Sequence, residues 1–155
     1  MELKLSNLKV EVYSSYQPIT SKRKAELTQF MLLHYNPTPL LKQHIQQAMT
    51  YALKDASLLR GSYSHGGIVL IAFTDDQLVG GLIANRTGLM DFLPQTLVSF
   101  IATETDYRQK GIAGHLIEHC KKFLPGTMAI VPDQDQIYSE YLKRKSNLSQ
   151  NLFFI

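Results

Sequence analysis

Apolar and polar positions divide the chain into short blocks of differing period. Leu8, Val10 and Val12 alternate with Lys9 and Glu11, a period of two that predicts a half-buried strand. Pro18 and Thr20-Ser21 then break the chain. Leu27, Phe30, Met31 and His34 recur at helical spacing and predict a helix from about Lys22 to Tyr35. Its first turn, Lys22-Arg23-Lys24, is basic and opposes the helix dipole, so the pattern leaves its start open. Asn36-Pro37-Thr38-Pro39 stops it. Leu41, Ile45, Ala48, Met49, Ala52, Leu53 and Ala56 then form one apolar stripe of a second, amphipathic helix.

Ile68 to Phe73 is a continuous apolar run behind Gly66-Gly67, short enough to be a buried strand. Asp75-Asp76-Gln77 reads as a hairpin turn, and Leu78 to Asn85 as the returning strand. Gly80-Gly81 lies inside that strand and marks a bulge or a close backbone approach. A loop from Leu89 to Gln95 leads to a strand at Leu97–Thr103. A helix from about Gly111 to Phe123 follows, closed by Pro125-Gly126. Thr127–Val131 reads as a strand, Asp133–Lys145 as a helix and Leu152–Ile155 as a last short strand. The order β-α-α-β-β-β-α-β-α-β predicts an α/β fold with helices packed on one mixed sheet.

The 155 residues match one domain, and no repeat, low-complexity tract or linker divides residues 1–155. The hydrophobic share of 45% supports a packed core without staples. Cys120 is the sole cysteine, so no internal disulfide forms. The N-terminus lacks the apolar core of a secretory signal, and the longest apolar run is too short to span a bilayer; a cytoplasmic protein with no membrane partner is expected. The net charge of +3 suits an anionic ligand without requiring nucleic acid, and no aromatics are clustered among the basic residues.

Candidate chemistry concentrates at Arg108-Gln109-Lys110-Gly111-Ile112-Ala113-Gly114, between a predicted strand and helix. Small residues let backbone approach a ligand, and the first amides of a helix lack intrahelical acceptors. With the helix dipole and the charges of Arg108 and Lys110, this makes a phosphate site. The spacing is neither G-x-x-x-x-G-K-[ST] nor G-x-G-x-x-G after a first strand, so neither the P-loop nor the dinucleotide fold owns it.

Arg108-x-x-Gly111-x-Ala113 fits the Q/R-x-x-G-x-G/A signature, and through it the chain resembles the GNAT-type N-acetyltransferase superfamily. The resemblance is strongest from Leu78 to Tyr141 and extends to the element order. It implies acetyl-CoA as co-substrate, with its diphosphate on the amides around Gln109–Gly114. It also implies that the backbone of Ile101, Ala102 and Thr103 pairs with the pantetheine arm as an added strand would. It further implies direct attack of a neutral amine on the thioester, with a backbone N–H of the fourth strand holding the oxyanion. A tyrosine, Tyr141 or in its stead Tyr138, would protonate the departing thiolate; with a pKa of about 10 it carries its proton at neutral pH. Leu97, Val98 and Ser99 stand where many members carry a glutamate base, and Glu104 comes later, near the loop. The resemblance implies an amine-bearing small molecule or peptide as acceptor, its pocket expected from Tyr13–Gln17, His34–Pro39 and Leu89–Gln95. A homodimer is common in the family. A non-catalytic acyl-CoA-binding or regulatory module on the same fold is the alternative, motivated by the missing glutamate.

His115-Leu116-Ile117-Glu118-His119 matches H-x-x-E-H, the inverted zinc-protease motif. Ile112, Leu116, Cys120 and Phe123 form the apolar stripe, which is expected to leave both histidines facing solvent; a catalytic zinc needs a third ligand, so no metal is expected. Cys120 on that stripe reads as a buried, inert thiol.

Overall fold

The computed structural model describes residues 3–34, 41–54, 66–87, 94–130 and 153–154. Among these residues six strands form one sheet in sequential order, β1 (Lys9–Tyr13), β2 (Gly67–Thr74), β3 (Gln77–Arg86), β4 (Thr96–Thr103), β5 (Met128–Ile130) and β6 (Phe153–Phe154). All neighbours are antiparallel except β4 and β5, which run parallel. Helices α1 (Ser21–His34) and α2 (Leu41–Ala52) cover one face of the sheet, and α3 (Ile112–Phe123) covers the other. This is the expected mixed α/β fold. The helix expected at Asp133–Lys145 lies outside the described residues.

Two covered faces explain the unbroken apolar run of β2. Ile68, Leu70 and Ala72 enter the core under α3, while Val69, Ile71 and Phe73 enter the core under α1 and α2. Asp75 and Asp76 both adopt left-handed backbone, φ 47° and 61°, the twist a two-residue hairpin turn needs. The start of α1 is settled by Thr20, whose hydroxyl accepts the Arg23 amide at 3.2 Å and caps the helix. That cap supplies an acceptor where the basic first turn supplied none.

The two glycines of β3 are explained by close approach from opposite sides. A Cβ on Gly80 would sit 2.7 Å from Cγ2 of Ile112 on α3, and one on Gly81 would sit 2.4 Å from Cδ1 of Leu27 on α1. Both helices therefore dock on bare backbone at the centre of the sheet. The register also shifts between Ala72 and Phe73, leaving Val79 as an extra residue beside this pair.

The edge strand β1 is tied to α1 by charge. Arg23 donates to Glu11 through Nε and Nη2, each at 3.1 Å, and to Glu26 at 2.7 Å, while its guanidinium lies 4.5 Å from the centroid of Phe73. Tyr13 also donates its hydroxyl to Glu11. Burial pushes the Glu11 carboxyl up, but the Tyr13 and Arg23 hydrogen bonds and the Arg23 and Lys9 charges outweigh it and hold the group below its ordinary 4.5. A depressed folded-state value contributes stability at neutral pH that is lost as pH falls through that value. Glu11→Gln is expected to lower stability at pH 7 and to lose less of it below about pH 4.5 than the parent chain, as read by denaturation at several pH values.

Candidate functional site

The loop that carries the signature is held at both ends. The Glu104 amide donates to the Val79 carbonyl at 2.9 Å, which anchors the exit of β4 on β3. A single 3-10 turn, Thr105–Tyr107, follows. Gln109 and Gly111 then take left-handed backbone, φ 63° and 87°, on either side of Lys110. Gly111 is the N-cap of α3 and offers no side chain to the helix. The first α3 amide to close a helical bond is that of His115, onto the Gly111 carbonyl at 3.0 Å. The amides of Ile112, Ala113 and Gly114 precede it, which leaves the positive end of the helix directed out of the loop.

The side chains sort by task. Ile112 is fully buried and seats the helix on Gly80, so only its amide can serve a ligand. Gln109, Lys110, Gly111 and Gly114 are exposed, and a Cβ added at Gly114 would meet nothing within 4 Å. Lys110 sits with its ammonium 5.2 Å from the Tyr107 ring centroid, held at the mouth of the loop. Arg108 turns back into the protein, where Nη2 donates to the His34 carbonyl at 2.9 Å and Nε to the Thr103 carbonyl at 3.5 Å. The signature arginine thus ties the last turn of α1 to the end of β4, and its charge meets the negative end of the α1 dipole. Spacing alone did not reveal that use.

Beside the loop, β4 meets β5 over a short stretch among the described residues. It pairs with β5 at Thr96, Val98 and the intervening Leu97, and with β3 along almost its whole length. Ile101, Ala102 and Thr103 lie beyond Val98, the last β4 residue paired with β5 among the described residues. The Ile101 and Ala102 side chains are buried on opposite faces of the sheet, so their backbone is what the strand presents along the β5 side. A bulge between Val98 and Phe100 leaves Ser99 without a partner in the β3 register. Its hydroxyl donates to Oδ1 of Asn85 at 2.5 Å, and Nδ2 of Asn85 donates to the Ala48 carbonyl of α2 at 2.9 Å. Periodicity did not single out this polar chain, because a bulge is a property of the pairing of two strands.

His34, at the end of α1, lies 3.4 Å from the Thr105 hydroxyl and stacks at 4.6 Å on Phe30. Burial pulls its imidazole below the usual value; Glu104 and Asp106 oppose this and Arg108 adds to it. Oε2 of Glu104 is buried without a hydrogen-bond partner among the described residues. Of the expected acceptor segments, Tyr13–Gln17 is a tight turn closed by Ser14 and Gln17, whereas residues 35–40 and 88–93 lie outside the described residues. Tyr138 and Tyr141 do so as well. A groove of about 570 Å³ between α1 and α2, lined in part by Lys24, Thr28, Lys42 and Gln46, shares no residue with the loop.

On α3, Cys120 is fully buried, and burial pushes its thiol up to about 12, which removes its nucleophilicity at neutral pH. His115 and His119 depart from the solvent-facing expectation: both are half-buried on the flank of the apolar stripe, while Phe123, placed on that stripe, is 53% exposed. Among the described residues no group of three His, Cys, Asp or Glu side chains could hold a metal ion, and no helix is long and apolar enough to cross a membrane.

No curated protein matches the chain in sequence. Solved structures match its fold. An aminoglycoside acetyltransferase from an uncultured soil metagenomic sample, solved with sisomicin, superposes with a TM-score of 0.60 at 16% identity, over 94% of this chain and 90% of that one. A GNAT family acetyltransferase from Elizabethkingia anophelis, solved with acetyl-CoA bound, gives 0.55 at 17% identity over 90% and 74%. The aminoglycoside 6'-N-acetyltransferase of Acinetobacter haemolyticus gives 0.58 at 14% identity over 92% of both chains. The sequence model of the acetyltransferase (GNAT) family matches residues 28–136, from α1 past β5, so the chain belongs to the GNAT acetyltransferase family.

Proposed function

We propose that this chain is an acetyl-CoA-dependent N-acetyltransferase that transfers the acetyl group to a primary amine of a small molecule or peptide within a ternary complex. The observation that carries the reading is the left-handed Gln109 and Gly111 pair, which aims the first amides of α3 out of the loop that follows the end of β4. A diphosphate needs clustered N–H donors and positive potential, and a pantetheine arm needs backbone partners along an extended edge. One stretch, Ile101 to Gly114, is proposed to supply both. Acetyl-CoA would supply an activated acyl thioester there.

In this reading Gln109, Lys110, Gly111, Ile112, Ala113 and Gly114 hold the diphosphate, the last three through their amides. Ile101, Ala102 and Thr103 hold the pantetheine through backbone. Arg108 contributes by fixing the loop against α1. Glu104 Oε2 offers an acceptor to an incoming amide donor. Holding both reactants in one groove removes up to about 7–11 kcal/mol of barrier in well-oriented cases.

Aminoglycosides are the first acceptors to try, because structurally similar proteins act on them. Thiol release from acetyl-CoA across a panel of aminoglycosides, polyamines and peptide amines tests the activity. Turnover on any amine supports the reading. Tight CoA binding with no turnover on the panel favours the non-catalytic acyl-CoA-binding alternative, which the Ser99 position favours because a hydroxyl there cannot act as a carboxylate base. Tyr141→Phe is expected to lower kcat by roughly 100-fold with CoA affinity retained, as loss of a general acid would. An unchanged kcat at saturating substrates would transfer the role to Tyr138, tested by the matching variant.

A further inference from the structure

The two histidines of α3 are placed as a chelating pair. They stand four residues apart on one helix, so their side chains lie one above the other. Their Nε2 atoms are 3.2 Å apart, and the rings meet edge to face, 61° apart with centroids at 4.7 Å. Metal–imidazole bonds are about 2.0–2.1 Å. Two such bonds to nitrogens 3.2 Å apart subtend about 100–105° at the ion, between octahedral and tetrahedral angles.

We infer that His115 and His119 form a two-histidine site for a borderline divalent transition-metal ion, Zn2+ or Ni2+, with water completing the coordination. Imidazole pairs select such ions over Mg2+ and Ca2+, which prefer oxygen. Both rings are half-buried on the flank of α3, so little side-chain freedom is lost when they converge on an ion. Ligation requires neutral imidazole, so binding should weaken as pH falls. The ammonium of Lys122 also opposes an added cation, and among the described residues no third protein ligand joins the pair. Both features weaken the site relative to one with three protein ligands. The site shares no side chain with the proposed acetyl-transfer machinery and stands whether or not that reading holds.

The competing account of the same geometry is a plain N–H···N hydrogen bond between the rings. His119→Gln separates the two, since an amide retains hydrogen-bonding capacity toward His115 but removes the second imidazole. The test is calorimetric titration of the untagged chain with Zn2+ and with Ni2+, Mg2+ serving as control, together with Tm with and without each ion. The inference expects one equivalent bound, a raised Tm and no response to Mg2+. It expects at least about tenfold weaker binding in both His115→Gln and His119→Gln. Absence of saturable Zn2+ and Ni2+ binding, or binding unchanged in both variants, overturns it. Should either variant fail to fold by circular dichroism, electron paramagnetic resonance of Cu2+ on the unaltered chain decides. Coupling to two nitrogens supports the pair, and coupling to one or none overturns it.

Discussion

Gly114→Glu is expected to weaken coenzyme A binding by roughly 100-fold or more while leaving Tm essentially unchanged. The new side chain enters open space, since a Cβ at Gly114 meets no atom within 4 Å. It occupies the third position of α3, where a carboxylate complements the helix dipole and accepts orphan amides, so the fold loses nothing. The ligand loses on two counts. The carboxylate takes up N–H groups the diphosphate would use, and like charges about 4 Å apart cost about 4 kcal/mol at a near-surface effective dielectric, against about 1.4 kcal/mol per tenfold in affinity. Gly111→Glu makes an instructive contrast. It should abolish binding as well, but Gly111 sits at φ 87° with Leu5 3.3 Å from a would-be Cβ, so backbone strain of about 1–2 kcal/mol lowers Tm too. Calorimetric titration with coenzyme A and parallel thermal melts read both effects. Unchanged affinity in Gly114→Glu would remove the loop from the site.

Gly81→Val is expected to destabilise the chain by about 3 kcal/mol or more, seen as a fall in Tm of roughly 6–12 °C. Even the first carbon of a side chain at this position lies 2.4 Å from Cδ1 of Leu27 and 3.3 Å from Cε of Met31, both in fully buried residues. Neither can retreat, because Leu27 and Met31 are enclosed in the core formed with Ile83 and Ala102. Relief requires α1 to lift from the sheet, and α1 carries His34, the carbonyl of which holds Arg108. The variant should therefore weaken coenzyme A binding as a secondary effect of the loosened loop. Denaturant unfolding with the Gly80→Ala variant alongside checks the account, since that change presses on Ile112 and so on α3. A Gly81→Val chain as stable as the parent would show that the α1 packing is misread.

The period of two in β1, the continuous run of β2 and the stripes of α2 and α3 were legible because burial on a face imposes a repeat on the residues themselves. The hairpin at Asp75-Asp76 and the glycine turn before α3 were legible because special backbone conformations call for particular residue types. Other features were not. The use of Gly80 and Gly81 as opposed docking points depends on which helix crosses which face. The Ser99 bulge and its bond to Asn85 depend on the pairing of β4 with β3. The turning of Arg108 toward His34 joins residues 74 apart in the chain. The position of the histidines on the flank of α3 rests on how far the sheet wraps the helix, which a helical wheel does not contain.

The sequence by itself determined the mixed α/β class, the run of elements through the central sheet, and the glycine-bearing turn before α3. It could do so because those properties are written in local periodicity and in glycines with restricted alternatives. The tertiary structure alone decided that a bulge sets Ser99 beside Asn85, that Arg108 clamps α1 and leaves Lys110 at the loop mouth, and that His115 and His119 converge within 3.2 Å. Each is a relation between segments or side chains set by packing, and packing is resolved only when all the faces meet.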